Sequence, residues 1–298
     1  MKRLDQLLEN RPAETHTVAV AQAEDSGVLE TVSQAVSREL CSFNLFGEER
    51  KIRDIAQQND ISLGDKVTII DTGPGKASEE AVKAVRSRKA DVLMKGAVDT
   101  GTLMKQVLSK EYGLKQEKVL SHVALFDFSD YKKVLFLTDS ALNIKPDLQQ
   151  KAQIIENAVR VAHRTNTDNP LVAPLAAIET VNQTMEATTD AALLTQMNRR
   201  NQIKDCIVDG PLAFDNAINE EAASKKAIDS EVAGQADILV APDIEVANVL
   251  YKSFVYFAKA RVAGIIAGAT APIVLTSRSD SPENKLLSLA LALQEEEK

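Results

Sequence analysis

Ser277-Arg278 lies between a short apolar run, Pro272 to Thr276, and a leucine-rich stretch of helical period from Glu283 to Leu293. Ser281 suits the N-cap and Pro282 the first helical position, so the free N–H groups of that turn are predicted to face the Ser277-Arg278-Ser279 loop. A strand end, a guanidinium and a helix N-terminus together make an anion site. The same residues in an ordinary strand-to-helix connection would leave only a solvated arginine. Lys95-Gly96 ends another apolar run, and Thr100 or Thr102 could cap the following helix, which carries Lys105. Ligands of open α/β sheets bind outside the carboxyl ends of strands, so both lysines stand where a phosphate could be met. Asp139-Ser140, Asp209-Gly210 and Asp243 are further small or polar strand ends, each before a helix start. This set fits a polar, anionic ligand and names no reaction.

Several chemistries are excluded. No Gly-x-Gly-x-x-Gly follows a strand, no Gly-x-Ser-x-Gly surrounds Ser277, and His16, His122 and His163 are too scattered for a metal cluster. Asp71-Thr-Gly-Pro-Gly-Lys-Ala77 lacks the first glycine and final Ser/Thr of a phosphate loop, and reads as a turn with a helix start. His122, beside Ser121 in an apolar strand, reads as a structural hydrogen-bonder. Cys41 and Cys206 form no framework, the net charge of −8 argues against a general nucleic-acid binder, and no apolar run has membrane-spanning length. A reducing, cytoplasmic setting without signal peptide is expected.

These residues need a scaffold that brings strand ends together. Short aliphatic strands alternate with helices of about ten residues: strand 17–21, helix 25–40, strand 42–46, helix 48–59, strand 67–71, helix 78–88, then the strand ending at Lys95. The rhythm predicts βαβ units and mostly parallel sheet, and the low aromatic content, 4% with no Trp, suits strands buried on both faces. Strands 119–128 and 133–138, joined by a short turn, are expected to form an antiparallel hairpin. Helix 147–163, strand 171–178 broken by Pro174, helix 187–199, strand 205–212, helix 215–226, strand 237–243 and helix 245–259 follow. Only Gly268 to Ala271 separates strand 262–267 from the run ending at Thr276, so the chain there turns back antiparallel or passes to another sheet.

Met94-Lys-Gly-Ala-Val-Asp-Thr100, Leu137-Thr-Asp-Ser-Ala-Leu-Asn143, Asp209-Gly-Pro-Leu-Ala-Phe-Asp215, Ala241-Pro-Asp-Ile-Glu245 with Asn248 to Lys252, and Thr276-Ser-Arg278 together resemble the phosphate acetyltransferase and butyryltransferase family. The likeness runs in order from about residue 90 to 290, and the run Asp190 to Arg200 with the short first domain looks most like phosphate butyryltransferase. The resemblance implies reversible transfer of an acyl group between CoA and orthophosphate, without metal or covalent acyl-enzyme. CoA and acyl-CoA are then substrates and no cofactor is bound.

It also implies a homodimer with two α/β domains of isocitrate/isopropylmalate dehydrogenase-like type and an active-site cleft between them. The expected division is residues 1–140 with 276–298, and residues 141–275. By the family pattern Ser277 bonds the reacting thiol or carbonyl and Arg278 holds the phosphoryl oxygens. Lys95, Lys105, Ser121, Asp209, Asp243, Asn248, Lys252 and Asn284 are expected to bind substrate. Three positions depart from the acetyltransferase pattern: Asn284 replaces an aspartate proposed as thiol base, Lys105 an arginine, and Ala247 a glycine. A phosphate acetyltransferase, or a non-catalytic domain that senses acyl-CoA or acyl phosphate, is the alternative expectation.

Overall fold

The computed structural model describes residues 1–10, 15–115, 119–276 and 280–294. In chain order the elements are α1 (Gln6–Glu9), β1 (Thr17–Ala21), α2 (Ser26–Ser37), β2 (Ser42–Gly47), α3 (Glu49–Gln58), β3 (Val67–Asp71), α4 (Ala77–Arg86), β4 (Val92–Lys95) and α5 (Thr100–Val107). Next come β5 (Ser121–Asp127), β6 (Leu135–Thr138), α6 (Leu148–Arg164), β7 (Leu171–Pro174), α7 (Glu186–Arg199), β8 (Ile207–Val208), α8 (Phe214–Ile218), α9 (Glu220–Lys225) and β9 (Ile238–Val240). The chain ends with α10 (Ile244–Tyr256), β10 (Arg261–Ala267), β11 (Ile273–Val274) and α11 (Pro282–Ala292). Among the described residues no helix is long and apolar enough to cross a membrane.

The described residues gather into two compact units, one from residues 5–115 and 263–294, the other from residues 1–4 and 119–262. In the first unit the strand order is β3-β2-β1-β4-β11-β10. Strands β1 to β4 and β11 run parallel, while β10 pairs antiparallel with β11 through Ile266 and Ile273. Val18, Val20, Leu93, Met94 and Ile273 are all buried, as parallel strands covered on both faces require. From β1 the chain steps outward through α2 and α3 to β3, then α4 returns it to β4 on the other side of β1. The gap between the carboxyl ends of β1 and β4 is therefore a topological switch point, where open α/β sheets bind ligands.

The other unit has the order β5-β6-β9-β7-β8, with the β5–β6 pair antiparallel and the remaining pairs parallel. Its core is aliphatic around a group of rings, Phe126 meeting Tyr251 and Phe254 edge-on at 5.2 and 5.1 Å. Because Val123 stands opposite Thr138, the start of β5 lies beside the end of β6, which places His122 next to Ser140.

Some elements differ from the sequence expectation for local reasons. Asp99, not Thr100 or Thr102, caps α5, accepting from the Thr102 N–H at 2.9 Å. The helix expected over 215–226 is broken at Asn219, whose extended backbone ends α8 and whose side chain caps α9. Strand β7 stops at Pro174, which has no N–H to give the ladder. The unit boundaries fall near 118 and 262, where the rhythm suggested a break near 140 and the resemblance a return of the chain from 276. The β5–β6 hairpin joins the second unit because β6 pairs with β9, and β11 already belongs to the first unit because it pairs with β4.

Candidate active site

The switch point of the first unit is built by close backbone approach. Gly96 donates its N–H to Ala21 O at 2.9 Å and Ala97 donates to Gln22 O at 2.6 Å, which stitches the loop after β4 to the end of β1. A Cβ at Gly96 would lie 2.0 Å from the Gln22 carbonyl oxygen, so only glycine fits. Lys95 is 5 % exposed, and its ammonium donates to the carbonyls of Gly96 and Val98, both at 3.2 Å. Hydrogen bonds from Thr102 hold the Asp99 carboxyl below the usual carboxylate range, so the α5 cap is ionised at neutral pH. Lys105 is exposed on that helix.

At the other end of the unit the expected cap of α11 is present. Ser281 accepts from the Asn284 N–H at 3.1 Å, with Pro282 at the helix start. Asn284 is half-buried, and its carbonyl accepts from Ser288 Oγ at 2.8 Å. Ser277 and Arg278 lie outside the described residues, as does Ser279.

In the second unit the strand ends converge on Ser140. His122 Nδ1 is 2.8 Å from Ser140 Oγ, the His122 carbonyl accepts from Thr138 Oγ1 at 2.8 Å, and Asn248 Nδ2 donates to the Ser140 carbonyl at 3.3 Å. Buried Asp139 organises the turn, since its carboxylate accepts the N–H groups of Ala141, Leu142 and Asn143 at 3.0, 3.2 and 3.1 Å. Asn143 in turn donates to the Leu120 carbonyl at 2.8 Å, tying the start of β5 to the end of β6. Tyr251 packs near His122, ring centroids 6.0 Å apart. The result is a hydroxyl, an imidazole, an amide and a phenol ring gathered at one group of strand ends, a set with the chemistry to hydrogen-bond a polar ligand.

The other expected residues take varied places. Ser121 is fully buried and accepts from Asn157 Nδ2 at 2.8 Å, so its hydroxyl braces β5 against α6 and faces no solvent. Asp243 caps α10 by accepting from Val246 N–H at 2.9 Å. Asp209 is half-buried just after β8, its N–H donated to Val172 O at 3.1 Å. Lys252 is exposed on α10, its ammonium 5.3 Å from the Tyr251 ring centroid. Asn248 and Lys252 thus share the helix that borders Ser140. Asp139 and Ser140 read in the sequence as a polar strand end, and with Asn143 as part of the Leu137 to Asn143 motif, without an assigned role. Their role depends on the antiparallel register that seats position 122 beside position 140, a pairing no local motif announces. His122 is buried and hydrogen-bonded as a structural histidine would be, and it also belongs to this cluster.

No group of three or more His, Cys, Asp or Glu able to hold a metal occurs among the described residues. Fold and topology define a doubly wound α/β protein with polar groups at the strand ends of each unit. A family model described as phosphate acetyl/butaryl transferase matches residues 75–293. A probable phosphate butyryltransferase of Bacillus subtilis (strain 168) is 51% identical over 93% of this chain and 92% of its own. A phosphate acetyltransferase of Thermotoga maritima is 45% identical over 97% of this chain and 98% of its own. A branched-chain phosphotransacylase from Enterococcus faecalis V583 superposes with a TM-score of 0.82 at 34% identity, covering 94% of this chain and 98% of that one. The chain belongs to the phosphate acetyltransferase and butyryltransferase family.

Proposed function

We propose that the protein interconverts acyl-CoA and orthophosphate with acyl phosphate and CoA, butyryl or a similar short or branched group being the acyl part. The observation that carries this reading is the family match over residues 75–293, joined to near-full-length similarity to proteins named for butyryl and branched-chain transfer. With acyl phosphate and CoA as substrates the CoA thiolate attacks the acyl carbonyl, an oxyanion forms, and the carbon–oxygen bond to phosphate breaks as phosphate departs. The thioester forms and the thiol proton is released. Phosphate-dependent thiol release is the reverse of these steps.

Ser277 is proposed to hydrogen-bond the reacting carbonyl or thiol, and Arg278 to hold the phosphoryl oxygens in a bidentate fork. Lys95, Lys105, Asn248 and Lys252 are proposed to bind the substrates, with the Ser140 cluster orienting the acyl group. Ser121, Asp209 and Asp243 are proposed to support these binding groups, each from the position described above. Asn284 cannot accept a proton, so deprotonation of the thiol is proposed to fall to Asp280 or Glu283, which flank the Ser281 cap, to a water, or to another residue of the site.

The test is phosphate-dependent release of free thiol from acetyl-, butyryl- and isobutyryl-CoA. Preference for butyryl- or isobutyryl-CoA is expected, preference for acetyl-CoA would reassign the acyl group, and no release with any of them would defeat the reading. Arg278→Ala should lower turnover about 10²- to 10³-fold, on the scale of a lost oxyanion donor. The amide at Asn284 favours one further reading, a non-catalytic sensor of acyl-CoA or acyl phosphate. Calorimetric binding without thiol release would select it.

A cytoplasmic homodimer is the proposed setting. On α10 and just beyond it Val249, Tyr256 and Phe257 are 65%, 55% and 89% exposed, an apolar stripe of the kind that a second copy covers. Sedimentation of the purified protein as a monomer would remove that part.

A further inference from the structure

The first turn of α11 carries a lysine to which the mechanism above gives no role. Lys285 is only 6 % exposed, yet its ammonium makes no hydrogen bond or ion pair with any described residue. Its stem is covered, and an unpartnered ammonium must keep its remaining exposure at the tip. The tip reaches the first turn of α2, where a Cβ on Gly27 would lie 3.1 Å from Lys285 Nζ. Helix α2 runs for 12 residues, and in its first turn Val28 N–H is taken by the Asp25 cap at 2.9 Å. The N–H groups of Ser26 and Gly27 have no acceptor among the described residues.

A buried lysine without a counter-charge, two open N–H groups and the positive end of a helix therefore meet at the carboxyl edge of the sheet, one strand from Lys95. Asp25 Oδ1, which would be 3.4 Å from the same Cβ, is already engaged with Val28. Glu24 is turned toward Glu48, accepting its N–H at 2.9 Å. The absence of a side chain at Gly27 keeps the first turn open.

Building on the proposed acyl transfer, we infer that Lys285 Nζ with the N–H groups of Ser26 and Gly27 binds a phosphoryl group of a substrate. The shared chemistry is a phosphate oxyanion, carried either by orthophosphate and acyl phosphate or by the nucleotide end of CoA. Lys285 is then a binding residue for the reaction, distinct from Arg278 and independent of the missing carboxylate at Asn284.

Steady-state kinetics of the full chain test this with Lys285→Met, Lys285→Arg and Gly27→Ala, varying orthophosphate, CoA and dephospho-CoA in turn. A lost charge-assisted hydrogen bond should raise one KM by about 10- to 100-fold while kcat stays within about threefold. Arginine should recover part of the loss, and Gly27→Ala should raise the same KM by crowding the ammonium. A rise for orthophosphate alone assigns the site to the inorganic substrate. A rise for CoA that vanishes with dephospho-CoA assigns it to the 3′-phosphate, and a rise for both cofactor forms to the pyrophosphate. KM values within twofold of wild type for all three, or a kcat loss that arginine does not restore, would overturn the inference. Calorimetric titration of orthophosphate and of CoA into wild type and Lys285→Met reads the same site without turnover. Failure of the proposed reaction is thus separable from failure of the site, and equal affinities in the two proteins would defeat the site alone.

Discussion

Gly96→Ala adds one methyl group at the switch point and should separate fold from function there. The new Cβ would sit 2.0 Å from Gln22 O, 2.7 Å from Gln22 C and 2.8 Å from Ala21 O, all backbone atoms that cannot swing away. Reaching even a 3.3 Å carbon–oxygen contact requires about 1.3 Å of separation between the ends of β1 and β4. That movement weakens the hydrogen bonds from Gly96 to Ala21 and from Ala97 to Gln22, each contributing about 1 kcal/mol. Overpacking adds about 1–3 kcal/mol, so the destabilisation should fall near 2–4 kcal/mol. Thermal unfolding should drop by about 5–15 °C. Because Lys95 precedes the inserted methyl group, a displacement of about 1 Å should also lower phosphate-dependent thiol release by about 10²-fold below the melting transition. Gly73→Ala is the control, since no atom lies within 4 Å of its added Cβ. Wild-type melting and turnover in Gly96→Ala would refute the close-approach account of the switch point.

Two further perturbations address the scaffold. Burial pushes the Asp127 carboxyl up, but hydrogen bonds from Arg3, the Leu4 N–H and Arg261 outweigh it and hold the group below the usual carboxylate range. A depressed carboxyl stabilises the fold at pH values above its unfolded value and loses that contribution as pH falls through the lower folded value. Asp127→Asn should therefore cost about 1–3 kcal/mol at neutral pH, reduced from the buried-pair range because Arg3 is half in solvent, and the gap in melting temperature from wild type should close below pH 4. A gap that stays constant with pH would show that the carboxylate charge is not the cause. Burial also pushes the thiols of Cys41 and Cys206 up to about 12, with Asp205 and Glu156 adding to the second. Both should resist a disulfide titrant at pH 8 in the folded protein and react after denaturation; rapid labelling of the native chain would contradict their burial.

Much of this protein is local and therefore readable along the chain. The alternation of aliphatic runs with helices fixes the α/β class, because the central runs are buried on both faces and the side-chain caps of α2, α5, α6 and α10 satisfy first-turn N–H groups. Ser281-Pro282 at the head of α11 and the hairpin at residues 121–138 are such cases. The family motifs are equally local, since they consist of contiguous residues at strand ends. The residues that bring strand ends together are not. Gly96 reads as one more glycine until the Gln22 carbonyl is found against it, and Ser140 becomes a site residue only when antiparallel register places it against His122. Lys285 looks like a solvated charge in a leucine-rich helix, and its burial beside Gly27 depends on how α11 packs on α2, partners about 260 residues apart in sequence. Sequence alone determined the kinds of element and the chemical groups at their ends, because propensity, capping and motif act over a few residues. Tertiary structure decided which ends meet, because that follows from sheet order and register, set by contacts between segments far apart in the chain.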